Sequence, residues 1–468
     1  MLTTALRPDH DALLTRARSL LDAGRLQGAR TLLAGLRKSA GPSAELDEIA
    51  ADLAMADGAF ASAIALFDRL AETAGQPQRY LLRRAQAKAQ LDDFAGAARD
   101  AADMVLAAPN DPAAKATLGL AMMELGHFTD SVACLREALA AEPGNVAFRI
   151  GLAEALERAG ARDAAVSVLW DGRQAQPRSL ALVTASMMLA LRQHDFAAAV
   201  AIGTAARARG WADACTLGLL GHAQSSLGRH DAAAELYQDA LTLAPEDGYV
   251  RHLAAAATQI AISTAPADYV RTVFDGYAHR FDAHLISLGY RVPGLIRAAL
   301  LRHTGSRPIE TMLDLGCGTG LIGVVLSDLA IACLTGVDIS PRMIAQAEAR
   351  GIYTGLIVAE AGTYLAAVPR QWDAVVAADM LCYVGALEVL FASVADRLLT
   401  GGVFLFSIEL LAGGSDWRLG AMGRYAHAEA YVRACAGNAG LRVAEAAHES
   451  LRREADAPVA GMIFVCTR

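Results

Sequence analysis

The chain of 468 residues lacks any Cys-x-x-Cys pair. Its seven cysteines, at 134, 215, 317, 333, 382, 435 and 466, are scattered and odd in number, which argues against a disulfide framework or a metal site and for a reducing compartment. No apolar run reaches the ~18 residues that would span a bilayer. The start, Met1-Leu2-Thr3-Thr4-Ala5, lacks a basic region followed by an apolar core, so no signal peptide is expected. Basic residues are outnumbered, 42 Lys and Arg against 50 Asp and Glu, for a net charge of −8. That balance disfavours a broad nucleic-acid surface. The expectation is a soluble, cytoplasmic protein bound neither to membrane nor to nucleic acid. A content of 54% hydrophobic and 20% charged residues is that of a globular chain, and its length is too great for one core, which implies two or three domains.

Self-similarity is abundant. Small residues recur at Ala29, Ala63, Ala97, Ser131, Ala165, Ala199 and Ala233, each 34 apart without an insertion. Turn residues keep the same register at Gly24, Gly58, Asp92, Gly126, Gly160, His194 and Gly228. Prolines follow at Pro109, Pro143, Pro177 and Pro245, with Gly75 opening that series and Trp211 interrupting it. The pattern resembles the tetratricopeptide repeat: two antiparallel helices, a tight turn, and a small residue where the helices cross. Proline ends the second helix of each unit because it cannot continue the hydrogen-bond ladder. About seven repeats are expected over 8–248, forming an all-α solenoid whose groove receives a peptide or protein. Arg83, Arg84, Glu124, Arg149 and Glu154 either line that groove or are solvated helix faces. Residues 249–266 read as a capping helix and a linker, since Pro266 disfavours helix in the residue before it.

The C-terminal part carries Asp314-Leu315-Gly316-Cys317-Gly318-Thr319-Gly320 between a strand-like stretch and a helix start. Glycines at alternate positions let the backbone turn sharply and approach a ligand closely. The dinucleotide fingerprint would place its last glycine one residue later, where Leu321 stands. Asp338 ends the next apolar stretch, 22 residues after Gly316, and an acid at that strand tip can accept ribose hydroxyls. Ser340 and Pro341 read as an N-cap and first helical residue.

This run resembles motif I of the class I S-adenosylmethionine-dependent methyltransferases. With the repeats, the whole chain is similar to a bacterial family that fuses tetratricopeptide repeats to such a domain. The resemblance implies an α/β, Rossmann-like domain of seven strands over 267–468. It implies S-adenosyl-L-methionine as cofactor, leaving as S-adenosyl-L-homocysteine. Cofactor contacts fall on Asp314, Gly316, Cys317, Gly318, Gly320 and Asp338, with Ile339 and Met343 flanking the adenine and Glu360 near its amino group. Asp379 lies in a stretch resembling motif IV, facing the methyl group. No Asn-Pro-Pro-Tyr or Asp-Pro-Pro-Tyr run occurs there, so DNA adenine and glutamine-type acceptors lose weight.

Upstream, the segment 269–282 resembles the aromatic-and-acid lead of methyltransferases of quinone and small-acid metabolism. Tyr277 and Phe281, four apart, either form an aromatic lid over the sulfonium or simply pack. Downstream, Gly423-Arg424-Tyr425-Ala426-His427 resembles an acceptor-facing loop of the fused family. His427 is a candidate proton acceptor, against an ordinary structural role. Tyr277, Arg280, Arg424, Tyr425 and His427 are thus expected to converge over the methyl group, with Tyr277 and His427 as catalytic candidates. Arg452 and Arg453 are read in the connection between the last two strands, either binding a carboxylate or solvated. The expected activity is methyl transfer to an O or N acceptor on a small molecule, or on a peptide or protein recruited by the repeats. A non-catalytic adaptor that retains the cofactor fold is the alternative, and homo-oligomerisation through the repeats is left open.

Overall fold

The computed structural model describes residues 10–40, 43–73, 78–258, 262–276, 278–305, 307–420, 422–454 and 457–468. The chain divides into two compact units, Met1–Leu189 and Ala190–Arg468.

The first unit is built from antiparallel helix pairs: His10–Asp22 with Leu26–Ala40, Ala44–Ala56 with Phe60–Thr73, Gln78–Gln90 with Phe94–Ala107, Pro112–Glu124 with Phe128–Ala141, and Val146–Arg158 with Arg162–Ala175. The repeat register explains the packing. Ala29, Ala63, Ala97, Ser131 and Ala165 are all fully buried, because a small side chain at the crossing lets two helix backbones close on each other. Each inter-helix turn needs a left-handed residue, supplied by Gly24, Gly58, Gly126 and Gly160 at φ between 69° and 82°, and by Asp92 at 60°. Pro109, Pro143 and Pro177 stand two residues past their helix ends. Gly75 lies outside the described residues. The polar candidates are engaged: Arg83 pairs with Asp52 at 2.6 Å, Arg84 with Asp68 and Asp100, and Arg158 with Glu124 and Glu154. Arg149 donates to the carbonyls of Val168 and Pro143.

The second unit begins with the same grammar. His194 and Gly228 take left-handed turns, and Ala199 and Ala233 are fully buried. Helices Phe196–Ala208, Ala214–Ser226, His230–Leu243 and Gly248–Thr258 precede a nine-stranded sheet. Its strands are β1 Ile309–Leu315, β2 Ile331–Asp338, β3 Gly355–Val358, β4 Trp372–Ala377, β5 Leu398–Leu410, β6 Trp417–Leu419, β7 Tyr425–His427, β8 Arg442–Glu454 and β9 Ala457–Thr467. Seven follow the order β3-β2-β1-β4-β5-β9-β8, parallel through β5, with β9 antiparallel to both neighbours. The hairpin β6–β7 adds two strands beyond the seven expected, with β7 pairing the last residues of β5. Alternation sorts the core: Leu313, Leu315, Val375, Ala377, Phe404 and Phe406 pack on one face, Met312, Ala374, Val376, Val403 and Leu405 on the other. Strands buried on both faces therefore read as unbroken apolar runs.

Residues 262–266 are no free linker. The carbonyl of Ser263 accepts the amides of Gly385 and Ala386, Thr264 bridges Val384, and Ala265 donates to the carbonyl of Tyr383. The last strand pair is also longer than the sequence reading, with Arg452 and Arg453 inside β8 rather than in the connection after it. Among the described residues, no helix is long and apolar enough to cross a membrane.

Candidate functional site

The glycine turn leaves β1 at its carboxyl end. Leu315 pairs with Val337, and the amides of Gly316 and Cys317 both donate to the carbonyl of Val337, at 2.8 and 3.1 Å. The chain then passes through Gly316, Gly318 and Gly320 at φ of 68°, 54° and 88°, a path that L side chains rarely follow. Asp338, one residue beyond the paired Val337, grips this turn. One carboxylate oxygen accepts the amide of Gly318 and the other that of Ser340, each at 2.9 Å. Burial raises its pKa, opposed by those amides. A carboxylate offers about four lone-pair sites, so capacity for further donors remains.

Asp314 lies fully buried in β1. One oxygen accepts the Tyr353 hydroxyl at 2.7 Å, and the other is buried with no partner. Burial pushes its carboxyl up to about 7, against the Tyr353 hydrogen bond and with the charge of Asp338 adding to the rise. Tyr353, absent from the sequence reading, also receives the Gly323 amide at 3.1 Å.

The glycine positions correct one expectation. A Cβ on Gly316 would come within 2.7 Å of Met380 Cγ, and one on Gly320 within 3.0 Å of the Tyr353 ring. Glycine is therefore required by the chain's own packing, not by ligand volume alone. On Gly318 a Cβ would meet only the edge of Phe281, at 3.7 Å.

The lead segment lies over this turn. Asp275, ending helix Ala267–Asp275, accepts from the Ser340 hydroxyl at 2.6 Å. Asp282 accepts from the Thr319 hydroxyl at 2.5 Å and pairs with Arg350. Phe274 packs on Phe281 and Tyr383. Tyr277 lies outside the described residues, and Arg280 occupies the N-cap position of helix Phe281–Ser287.

At the ends of β4 and β5 stands a charged cluster that the sequence reading did not assemble. Asp379 adopts φ 53° and donates its amide to Ser407 Oγ at 2.8 Å. Arg452, 1% exposed, pairs with Asp379 at 3.3 Å, with Glu454 at 2.8 Å and with Glu409. Arg424 joins Glu409 at 3.3 Å and Glu454 at 3.1 Å. Carboxylate oxygens of Asp379 and Glu409 and the sulfur of Cys382 lie within 4.8 Å of one another. Burial pushes Glu409 up to about 7, opposed by the charge of Arg424 and reinforced by Asp379 and Glu454. Asp379 is likewise raised by burial. Alternation could not have marked Arg452 as inward, because Leu451 and Arg452 are both buried across a register shift in β8.

The expected convergence of Tyr425 and His427 on the methyl group is corrected. Both are fully buried. Tyr425 donates to the carbonyl of Ile262 at 2.8 Å and packs with Ala255, Tyr269 and Trp417. His427 Nε2 lies 2.8 and 3.1 Å from the carbonyls of Val384 and Gly385, so the ring donates there, and its accepting Nδ1 is buried without a partner. Burial lowers its pKa to about 4, against those carbonyls. The reason is strand periodicity: in β7 residues 425 and 427 share the buried face, while Arg424 turns to the acids.

Of the adenine candidates, Ile339 is half-buried and Met343 fully buried. Glu360 caps helix Ala361–Ala367, its oxygens taken by the amides of Gly362 and Thr363 at 2.8 and 2.6 Å. The Thr363 hydroxyl also donates to Glu360, at 2.7 Å, so this side chain serves first as a helix cap. Cys317 is buried, and a Cβ on Gly336 would approach its sulfur to 2.9 Å.

Residues 313–406 match a methyltransferase domain family, and 14–79, 122–185 and 216–248 match tetratricopeptide repeat families. The chain is a fusion of tetratricopeptide repeats with a methyltransferase domain. Human methyltransferase-like protein 27 is 36% identical over 90 residues, 19% of this chain and 37% of that protein. The chain spans 37% and 38% of the length of the curated relatives it matches. Among solved structures, a tetratricopeptide repeat protein from Parabacteroides merdae gives a TM-score of 0.44 at 16% identity, over 53% of this chain and 98% of that one. Magnesium protoporphyrin IX methyltransferase from Synechocystis, solved with bound S-adenosylhomocysteine, gives 0.34 at 18%, over 43% and 99%. The methyltransferase match takes in the glycine turn, Asp338 and Asp379, and ends before Glu409, Arg424 and Arg452.

Proposed function

We propose that the methyltransferase domain binds S-adenosylmethionine and transfers its methyl group to a nucleophile. The observation that carries this reading is Asp338 fixed to the glycine turn through the Gly318 amide. This brace sets a carboxylate with spare acceptor capacity at the carboxyl edge of the sheet, where such folds bind nucleosides. The residues fit the cofactor: Asp338 for the ribose hydroxyls, and the unpartnered, buried oxygen of Asp314 as an acceptor for a positively charged amino group. When bound, the cofactor supplies an electrophilic methyl group on a sulfonium. Asp275 and Asp282 hold the lead segment over the turn, which excludes water.

The repeats supply the recruiting surface. In the first unit Asp52, Met55, Ala56, Arg83 and Gln86 line an open depression in which Arg83 and Asp52 pair with each other, so the recruiting role rests on the stacked repeats. Calorimetry on the full chain tests the cofactor reading. S-adenosylmethionine or S-adenosylhomocysteine should bind at one site per chain, and NAD should not. Binding of NAD in their place would sink it.

A further inference from the structure

Among the described residues, the ion pairs of Glu409, Asp379 and Glu454 are made by two guanidiniums, those of Arg452 and Arg424. Three carboxylates against two cations leave the cluster one negative charge in excess when all are ionised. Arg452 is consumed by the three acids, so it is an anchor and not a ligand-binding arm. Glu409 is placed differently. One of its oxygens accepts from both guanidiniums, and no hydrogen bond reaches the other among the described residues. Its side chain is 17% exposed.

The cluster stands beside the cofactor turn. Asp379 precedes Met380, whose side chain is what a Cβ on Gly316 would strike. Tyr290 feels the charges of both Asp379 and Asp314. Asp314 itself is fully buried and keeps one oxygen without a partner, a second sign that this edge of the sheet is built to face a cation.

Resting on the methyltransferase reading above, we propose that Glu409 is a catalytic residue that binds the methyl acceptor as an ammonium group and takes its proton, so that the acceptor is an amine. The chemistry requires such a group. An ammonium has no lone pair and cannot attack carbon. Passing one proton to Glu409 leaves a neutral amine and a carboxylic acid. The amine lone pair then forms the N–C bond, the S–C electron pair stays on sulfur, and Glu409 returns its proton to water. Arg452 acts as a positioning residue by fixing Glu409 against Asp379. Burial holds Glu409 near 7, suited to exchanging a proton at neutral pH.

The test uses the full chain and two ligands: S-adenosylhomocysteine, and the S-adenosylmethionine analogue in which a carbon bearing a primary amine replaces the methyl-bearing sulfur. By calorimetry at pH 8 the amine analogue should bind about ten- to a hundred-fold tighter, the worth of a hydrogen bond to a charged group. Glu409→Gln should remove most of that preference and keep S-adenosylhomocysteine binding within about twofold. In the wild type the preference should shrink from pH 8 to pH 6, as Glu409 protonates amid Arg452, Arg424, Asp379, Glu454 and Cys382. That titration needs no variant and decides the matter if Glu409→Gln does not fold. Equal affinity for the two ligands at pH 8, or an undiminished preference in a folded Glu409→Gln, overturns the proposal while leaving cofactor binding intact. Binding of neither ligand overturns the methyltransferase reading and this one with it. As a second arm, labelled methyl groups that the full chain places in a lysate should be base-stable N-methyl groups, on protein or small molecule alike. Base-labile methyl esters would overturn the amine class.

Discussion

Arg452 sets one guanidinium nitrogen 3.3 Å from each carboxylate oxygen of Asp379, across 73 residues of sequence. The contact joins β8 to the end of β4, and the same side chain also holds Glu409 and Glu454. One buried cation thus organises the far side of the site.

Replacing it by an apolar residue should be severe. Arg452→Leu leaves buried carboxylates without a counter-charge, a loss of about 3–5 kcal/mol. Chemical denaturation at pH 7.5 should show that deficit, and at pH 5.5 the deficit should narrow, because protonating the acids removes their repulsion. Unchanged stability at pH 7.5 would mean the cluster is not held by this residue.

Ser131 interrupts a series of alanines. Its hydroxyl is buried with no hydrogen-bond partner, at a crossing where Ala29, Ala63, Ala97 and Ala165 are equally buried. Ser131→Ala should therefore stabilise the protein by about 1 kcal/mol, read as a rise in denaturation midpoint with unchanged slope.

His427 should behave as a structural histidine. Its folded pKa of about 4 lies below the ordinary histidine value of 6.5. Between these values the unfolded chain binds the proton and the folded one does not. Its contribution is complete above pH 6.5 and is lost as pH falls through about 4, up to about 3 kcal/mol. The stability of His427→Gln should accordingly fall less between pH 7 and pH 4 than that of the wild type. A parallel decline in the two would contradict the burial argument.

Gly316 is pressed by Met380. Gly316→Ala combines a left-handed φ of 68° with a 2.7 Å clash, and should lower both stability and S-adenosylhomocysteine affinity. Adding Met380→Ala should recover part of the stability loss, since it removes the 2.7 Å contact with Cγ but leaves the Met380 Cβ at 3.0 Å and the backbone strain, roughly 1–2 kcal/mol. No recovery in melting temperature would point to the turn itself as the whole cost.

Asp338→Ala removes an acceptor shared by Gly318, Ser340 and, on the proposed function, the ribose. Cofactor affinity should drop about ten- to a hundred-fold. Asp338→Asn keeps the shape and can return one acceptor, so it should lose less. Titration calorimetry with S-adenosylhomocysteine would expose an affinity equal to wild type in Asp338→Ala.

The repeats were legible because their determinants are local. A left-handed turn and a close helix crossing each select a residue type at one position, and a period of 34 repeats that selection from Gly24 to Gly228. The glycine turn and Asp338 were legible for the same reason: a sharp strand-to-helix turn and an acid at the next strand tip are features of short segments. Which face a side chain takes in a short strand was not legible. Tyr425 and His427 went inward and Arg424 outward because β7 pairs β5 at Glu409 and Leu410, a register no local pattern specifies. Arg452, Glu409 and Asp379 come from three strands brought together by the order β4-β5-β9-β8. The sequence by itself determined the repeat architecture and the cofactor turn. Only the tertiary structure decided the charged cluster at the ends of β4 and β5, because charges distant in sequence acquire partners and shifted pKa values once burial brings them within a few ångströms.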